Sequence, residues 1–164
     1  RTIWFCVALL STLSATQANA ASSRVSYENA PLNNQPARKI WGQLHTPDSK
    51  GSSPVVLVLS ACGGLDDHVT TEWPKYLTEL GYAAFVIDIL GSRNVLSECS
   101  SGTIPLDERM RDVYGALAFL AQHPAVDSQR IYMIGFSWGG SHVLEAALHP
   151  DALAARTPGP DGSR

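Results

Sequence analysis

Three continuous apolar runs separated by amphipathic stretches dominate the hydrophobic pattern of the chain. PVVLVLS (Pro54–Ser60), YAAFVIDI (Tyr82–Ile89) and RIYMIG (Arg130–Gly135) are rich in β-branched residues and lack polar alternation, as strands buried on both faces do. Between the first two, Trp73, Tyr76, Leu77 and Leu80 recur at helical spacing and Gly81 is a natural stop, which predicts a helix over Glu72–Leu80. Between the second and third, Met110, Val113, Tyr114, Leu117 and Leu120 repeat at three- and four-residue intervals. They predict a helix capped by Asp107 and closing before His123-Pro124. SHVLEAAL continues from the third strand as another helix. Strand and helix thus alternate three times, the pattern of an α/β fold whose mostly parallel sheet carries helices on both faces. KIWGQLHTP reads as an edge strand ahead of this unit, and Ala21–Ala37 as a polar segment preceding a domain over residues 38–150.

The two ends read differently from the middle. Arg1, an apolar run from Ile3 to Leu13 and the small residues closing at Ala18-Asn19-Ala20 form the pattern of a secretory signal over residues 1–20, cleaved after Ala20. That run is about half of the ~20 apolar residues needed to span a bilayer, so no stable membrane anchor is expected. Secretion or a periplasmic location follows. Beyond Pro150, ALAARTPGPDGSR loses all periodicity and reads as an irregular tail over residues 151–164, with the domain cut short after the helix that follows RIYMIG.

The chain has 164 residues, 45% of them apolar, with a formal net charge of −3 and no basic run, which leaves no electrostatic footprint for nucleic acid. Of its three cysteines, Cys6 would leave with the signal. Cys62 and Cys99 remain, an even pair in a chain bound for an oxidising compartment; a disulfide and two separate buried thiols are both open.

Chemistry concentrates in GFSWGG, Gly135–Gly140. A G-x-S-x-G pattern alone is weak, but here it joins an apolar strand to a helix, where Gly135 and Gly139 let the backbone fold tightly around an exposed hydroxyl. Ser137 is therefore the candidate nucleophile, and the Trp138 N–H at the helix start is a candidate oxyanion donor. The Trp138 side chain reads equally as part of an acyl pocket or as core.

With GFSWGG in place, three other stretches form an ordered set: CGGL after the first buried strand, LGYAAFVIDILGSR, and HPAVDSQRIYMIG. Over Ile40–Leu148 the chain resembles the N-terminal half of an α/β-hydrolase, and within that superfamily the dienelactone hydrolase family in its secreted form. The resemblance implies hydrolysis of carboxylic esters or lactones, as small-molecule substrates, through an acyl-Ser137 intermediate with no cofactor and no metal. Type members carry Cys at the nucleophile position, so Ser137 points to a serine esterase branch. Relatives also show His-Gly where this chain has Ser60-Ala61; the Cys62 N–H, next in line, is the candidate second oxyanion donor, in a loop that Ala61 makes less adaptable.

In that fold the acid and the His of the triad follow the nucleophile on later loops. His149 would lie roughly 16 Å along the helix axis from the elbow at 1.5 Å per residue, and His142 on the same helix reads as packing or surface. His149 therefore cannot take the Ser137 proton, and Glu145 and Asp151 fail for the same reason. The chain by itself is accordingly expected to be a poor catalyst. Asp66, Asp67 and His68 read as a solvated turn in preference to a metal site. Arg93 is a candidate to meet a substrate carboxylate, against the simpler reading of an exposed loop arginine. Two other functions fit the same residues: a serine peptidase of the prolyl-oligopeptidase type, and a non-catalytic secreted fragment. RIYMIG left as an unpaired apolar edge would favour self-association.

Overall fold

The computed structural model describes residues 21–31, 35–100 and 102–149. Five strands, β1 (Ala21–Glu28), β2 (Lys39–Thr46), β3 (Ser53–Leu59), β4 (Ala83–Asp88) and β5 (Val126–Gly135), form one sheet in the order β1-β2-β4-β3-β5. β1 and β2 are antiparallel, β2 and β4 are antiparallel, and β3 lies parallel to both β4 and β5. Helices α1 (Trp73–Glu79), α2 (Leu106–Gln122) and α3 (Trp138–Leu148) connect or follow the parallel strands.

The run VVLVL explains why β3 lies between two others. Its side chains alternate between two apolar layers: Val56 and Val58 pack with Leu77 of α1, whereas Val55, Leu57 and Leu59 pack with α2 and α3. A strand that is apolar on both faces is stable only when helices cover both. The α/β architecture anticipated from the sequence is the one observed. Register then places the site: Val58 pairs with Ile134 and Leu59 with Gly135, so β3 and β5 end side by side.

The N-terminal stretch departs from the sequence reading. Residues 21–28 form strand β1, which pairs along all of β2, so β1 and not KIWGQLHTP is the outer strand. Its polar residues are the exposed positions of an edge strand, while Tyr27 turns inward to the core. The residues that follow are tied to α2 by a buried arginine. Arg111 donates from Nε to the Ala30 carbonyl (2.7 Å) and from Nη2 to the Pro36 carbonyl (2.9 Å), and Nη1 meets Gln35 and Glu108. Smaller differences concern helix starts. Pro105, not Asp107, caps α2, and Asp107 sits in the first turn, where a carboxylate still favours the helix dipole. A single wide turn of π type, His68–Glu72, precedes α1. The signal read over residues 1–20 and the tail over 151–164 lie outside the described residues.

Among the described residues β5 has β3 on one side and no strand on the other, and Tyr132 is 49% exposed. An open apolar edge recruits other strands. Light scattering on the 164-residue chain is expected to show a mass above that of one chain, shifting toward the monomer in Y132K; a monodisperse wild-type monomer would contradict this.

Candidate active site

β5 runs straight into a turn that no ordinary residue adopts readily. Ser137 has φ 49° and ψ −111°, a conformation that costs a non-glycine residue on the order of 1–3 kcal/mol and is found where the surrounding structure enforces it. The enforcement comes from close backbone contacts. The Phe136 N–H donates to the Leu59 carbonyl (3.0 Å) and the Gly139 N–H to the Phe136 carbonyl (2.8 Å). A Cβ on Gly139 would stand 2.5 Å from the Leu59 oxygen and 2.6 Å from the Ser60 oxygen, and one on Gly135 would strike the Gly139 carbonyl. Both glycines are therefore required by close approach.

The side chains flanking the serine lock it into the two layers. Phe136 packs on the α1 side against the rings of His68 (4.9 Å) and Trp73 (5.4 Å), whereas Trp138 packs into the α2–α3 layer. Ser137 lies between them and is exposed. Its hydroxyl has no hydrogen-bond partner among the described residues, so no base is positioned on it there.

The Trp138 N–H, at the first position of α3, has no intrahelical acceptor. The Cys62 N–H likewise has no acceptor among the described residues. Cys62 lies in the loop that leaves β3 beside the elbow, and its position is set from outside that loop. Its sulfur is joined to Cys99, with Cα atoms 4.8 Å apart. Its carbonyl accepts the Glu98 N–H (2.8 Å) and the Ser97 hydroxyl (3.4 Å). Glu98 is itself buried, its carboxylate taken by Thr103 and by the Ile104 N–H. Of the two readings left open for these cysteines, the structure has the bonded pair.

Arg93, the candidate to meet a substrate carboxylate, is engaged inside the fold: its guanidinium holds Asp112, with Nη1 at 2.6 Å from Oδ2 and Nη2 at 3.0 Å from Oδ1. Asp112 is fully buried and also accepts from Asn29. Burial pushes its carboxyl up, and the Arg93 bonds oppose that rise. An arginine that neutralises a buried carboxylate is committed to the fold, since removing either partner leaves an unpaired buried charge. In the loop after β3, the Asp66 carboxylate accepts from the Val69 N–H, and His68 donates to Glu72 and accepts from Trp73.

Neither His142 of α3 nor His149 after it makes a hydrogen bond to Ser137. His149 lies at the C-terminal end, beside Glu145. His142 is fully buried, its ring 4.6 Å from that of Trp138 and its Nε2 3.2 Å from Nη1 of Arg109. Burial, and then the Arg109 charge, lower its pKa from 6.5 to about 4. Phe136, Arg109 and the edge-on packing of His142 against Trp138 were not legible as site features from sequence. A Trp and a His four residues apart on a helix was the available signal, and it is a weak one.

The chain matches the sequence pattern of the Dienelactone hydrolase family over residues 40–158. A probable 2-oxo-3-(5-oxofuran-2-ylidene)propanoate lactonase of Bradyrhizobium sp is 33% identical over 122 residues, which are 70% of this chain and 46% of that protein. The quorum-quenching protein AidA of Acinetobacter baumannii is 25% identical over 117 residues, 71% of this chain and 38% of its own. The chain thus spans less than half the length of these two relatives. Among solved structures, the dienelactone hydrolase-like promiscuous phosphotriesterase P91 from metagenomic libraries superposes with a TM-score of 0.61 at 28% identity, covering 77% of this chain and 54% of that one.

Two outcomes follow from the geometry. G139A is expected to cost at least about 3 kcal/mol of stability in urea unfolding, since backbone oxygens cannot yield as side chains do. G63A, which meets nothing within 4 Å, should be near neutral. The second outcome concerns pH. Unfolded His142 takes up a proton near 6.5 and the folded state only near 4, so stability is full above pH 6.5 and falls on acidification through that window. The loss attributable to this residue is on the order of 3 kcal/mol, and H142N should show a correspondingly flatter decline from pH 7 to pH 4.

Proposed function

The chain belongs to the dienelactone hydrolase family, and from that premise we propose that Ser137 is the nucleophile with which the protein opens carboxylic esters or lactones. The observation that carries the reading is the strained, exposed Ser137 at the carboxyl end of β5, next to the Trp138 N–H that opens α3.

In the proposed reaction the Ser137 oxygen attacks the substrate carbonyl carbon as its proton leaves to a base. The carbonyl oxygen, now negative, accepts from the Trp138 and Cys62 N–H groups, donors that need no reorganisation at that moment. Collapse expels the alkoxide, which in a lactone stays attached to the acyl group, and water then releases the acid and regenerates the serine. In this reading Ser137 is the nucleophile, and the Trp138 and Cys62 N–H groups are the oxyanion donors. The base is not among the described residues, and donors alone sustain at most roughly 10³ to 10⁴ over water, so the 164-residue chain is proposed to turn over slowly. The relative named as a lactonase supports the ester or lactone class. Export through residues 1–20 is proposed as well, a location that accords with a Cys62–Cys99 disulfide.

A fluorophosphonate ester probe tests the assignment. Mass spectrometry should find the label on Ser137, slowly in this chain and rapidly in any longer form that brings an acid and an imidazole to the elbow. Labelling that persists in S137A would remove the assignment, and a longer form that never labels would favour a non-catalytic protein.

A further inference from the structure

The loop that leaves β3 carries little that would hold it in place by itself. The backbone bond within it runs from the Gly64 N–H to the Ala61 carbonyl (3.0 Å). Gly63 and Gly64 bring no side chain to pack, and a Cβ on Gly63 would meet nothing within 4 Å. Such a segment keeps its backbone freedom unless something outside fixes it. Cys62, whose N–H is the proposed second oxyanion donor, lies in that segment.

What fixes it comes from the loop between β4 and α2. Glu98 is buried there, and its carboxylate accepts from Thr103 and from the Ile104 N–H, so this loop is moored to the entry of α2 without help from any cysteine. From that mooring the Glu98 N–H and the Ser97 hydroxyl reach the Cys62 carbonyl, at 2.8 and 3.4 Å, and Cys99 holds the Cys62 sulfur. The support is one-sided: the loop bearing Glu98 is fixed from within, and the loop bearing Cys62 is fixed to it. Of these links only the disulfide is covalent; the Ser97 bond is long and competes with water, because Ser97 is exposed. The disulfide is also within reach of solvent. Cys99 is exposed and Cys62 only partly buried, and an exposed disulfide is the kind that thiols in solution open.

We propose that the Cys62–Cys99 bond is a thiol-sensitive latch on the reaction at Ser137, with Cys99 as the positioning residue that keeps the Cys62 N–H in line. The inference rests on the assignment of Ser137 and Cys62 made above. In opening, a thiolate of a small dithiol attacks Cys99 Sγ, the Cys62–Cys99 bond breaks, and Cys62 leaves as a thiolate that takes up a proton. The second thiol of the reductant then displaces Cys99 and closes the reductant's own disulfide, so two electrons and two protons pass to the protein. Cys62 is left with hydrogen bonds to its carbonyl, and its N–H no longer stands preorganised for the developing charge. The Trp138 N–H, held by α3, keeps its place.

Dithiothreitol applied to the folded 164-residue chain and then removed by desalting gives the reduced form for comparison with the oxidised one. Two measurements are made on each: amide hydrogen exchange, and the rate at which a fluorophosphonate ester labels Ser137, with the site located by mass spectrometry. Reduction should raise exchange at Cys62, Gly63 and Gly64 by about tenfold or more and leave β3 and β4 unchanged. It should slow labelling about tenfold, less than the roughly 10²-fold to 10³-fold that complete loss of a donor costs. Reoxidation should restore both, and C99S should behave as reduced protein whether or not the dithiol is added. Unchanged exchange, equal labelling rates in the two forms, or C99S that labels at the oxidised rate would overturn the proposal. Reduction that unfolds β3 and β4 together would overturn it as well, since the bond would then be a staple of the whole fold. The two readings fail separately: labelling that ignores S137A sinks the assignment of the serine, and a Ser137 that labels equally fast with the bond closed or open sinks only the latch.

Discussion

The carbonyls of Leu59 and Ser60 stand where a Cβ on Gly139 would have to be, and the Leu59 carbonyl also accepts the Phe136 N–H. Backbone meets backbone here with no side chain between. This contact holds the end of β3 against the turn that leaves β5, and everything of chemical interest depends on it. Ser137 keeps its unfavourable φ and ψ only because the chain on both sides is pinned: by β5 before it, and by α3 packed on Leu59 and Ser60 after it. The loop carrying Cys62 leaves from that same contact, so Ser137 and Cys62, the proposed nucleophile and second oxyanion donor, are both positioned from the end of β3. A strained turn costs stability, and the surrounding sheet, apolar on both faces, offsets it.

Around the contact, polar groups are used to lock elements together. Arg111 and Asp112, adjacent on α2, serve different neighbours. Arg111 holds the 29–38 stretch by its carbonyls, and Asp112 receives Arg93 from the loop after β4. Tyr27 of β1 adds a hydrogen bond to the Asp112 carbonyl at 2.9 Å, and burial together with the Asp112 charge keeps its phenol well above the usual range. One turn of α2 thereby anchors the first strand and the β4 loop. The Cys62–Cys99 bond and the Glu98 hydrogen bonds do the same for the loop after β3. A site on loops gains its precision from such supports.

Helix α2 bears both Asp112, the partner of Arg93, and Arg109, whose partner His142 lies on α3, yet the two arginines end differently. Asp112 is fully buried and cannot remain ionised without a cation, so it takes Arg93. Arg109, one turn earlier, faces a histidine too buried to be charged. Its guanidinium is partly exposed, with no carboxylate within 4 Å among the described residues.

Periodicity in the chain determined the elements. Apolar β-branched runs can be satisfied only between helical layers, so β3, β4, β5 and the three helices were legible from the residues, and the α/β class followed. GFSWGG was legible for a local reason: the two glycines and the serine act within six residues. β1 was not, because ASSRVSYE has the polar composition of an exposed segment, and its strand state depends on β2 and on Arg111, 81 positions from Ala30. Pairing partners were beyond reach as well. Cys62 and Cys99 lie 37 residues apart, and only the packing of two loops after neighbouring strands brings them together. Arg93 and Arg109 look alike in sequence. Which cation is neutralised depends on which buried acceptor lies across from it, and burial is a property of the assembled layers, not of the residues in order.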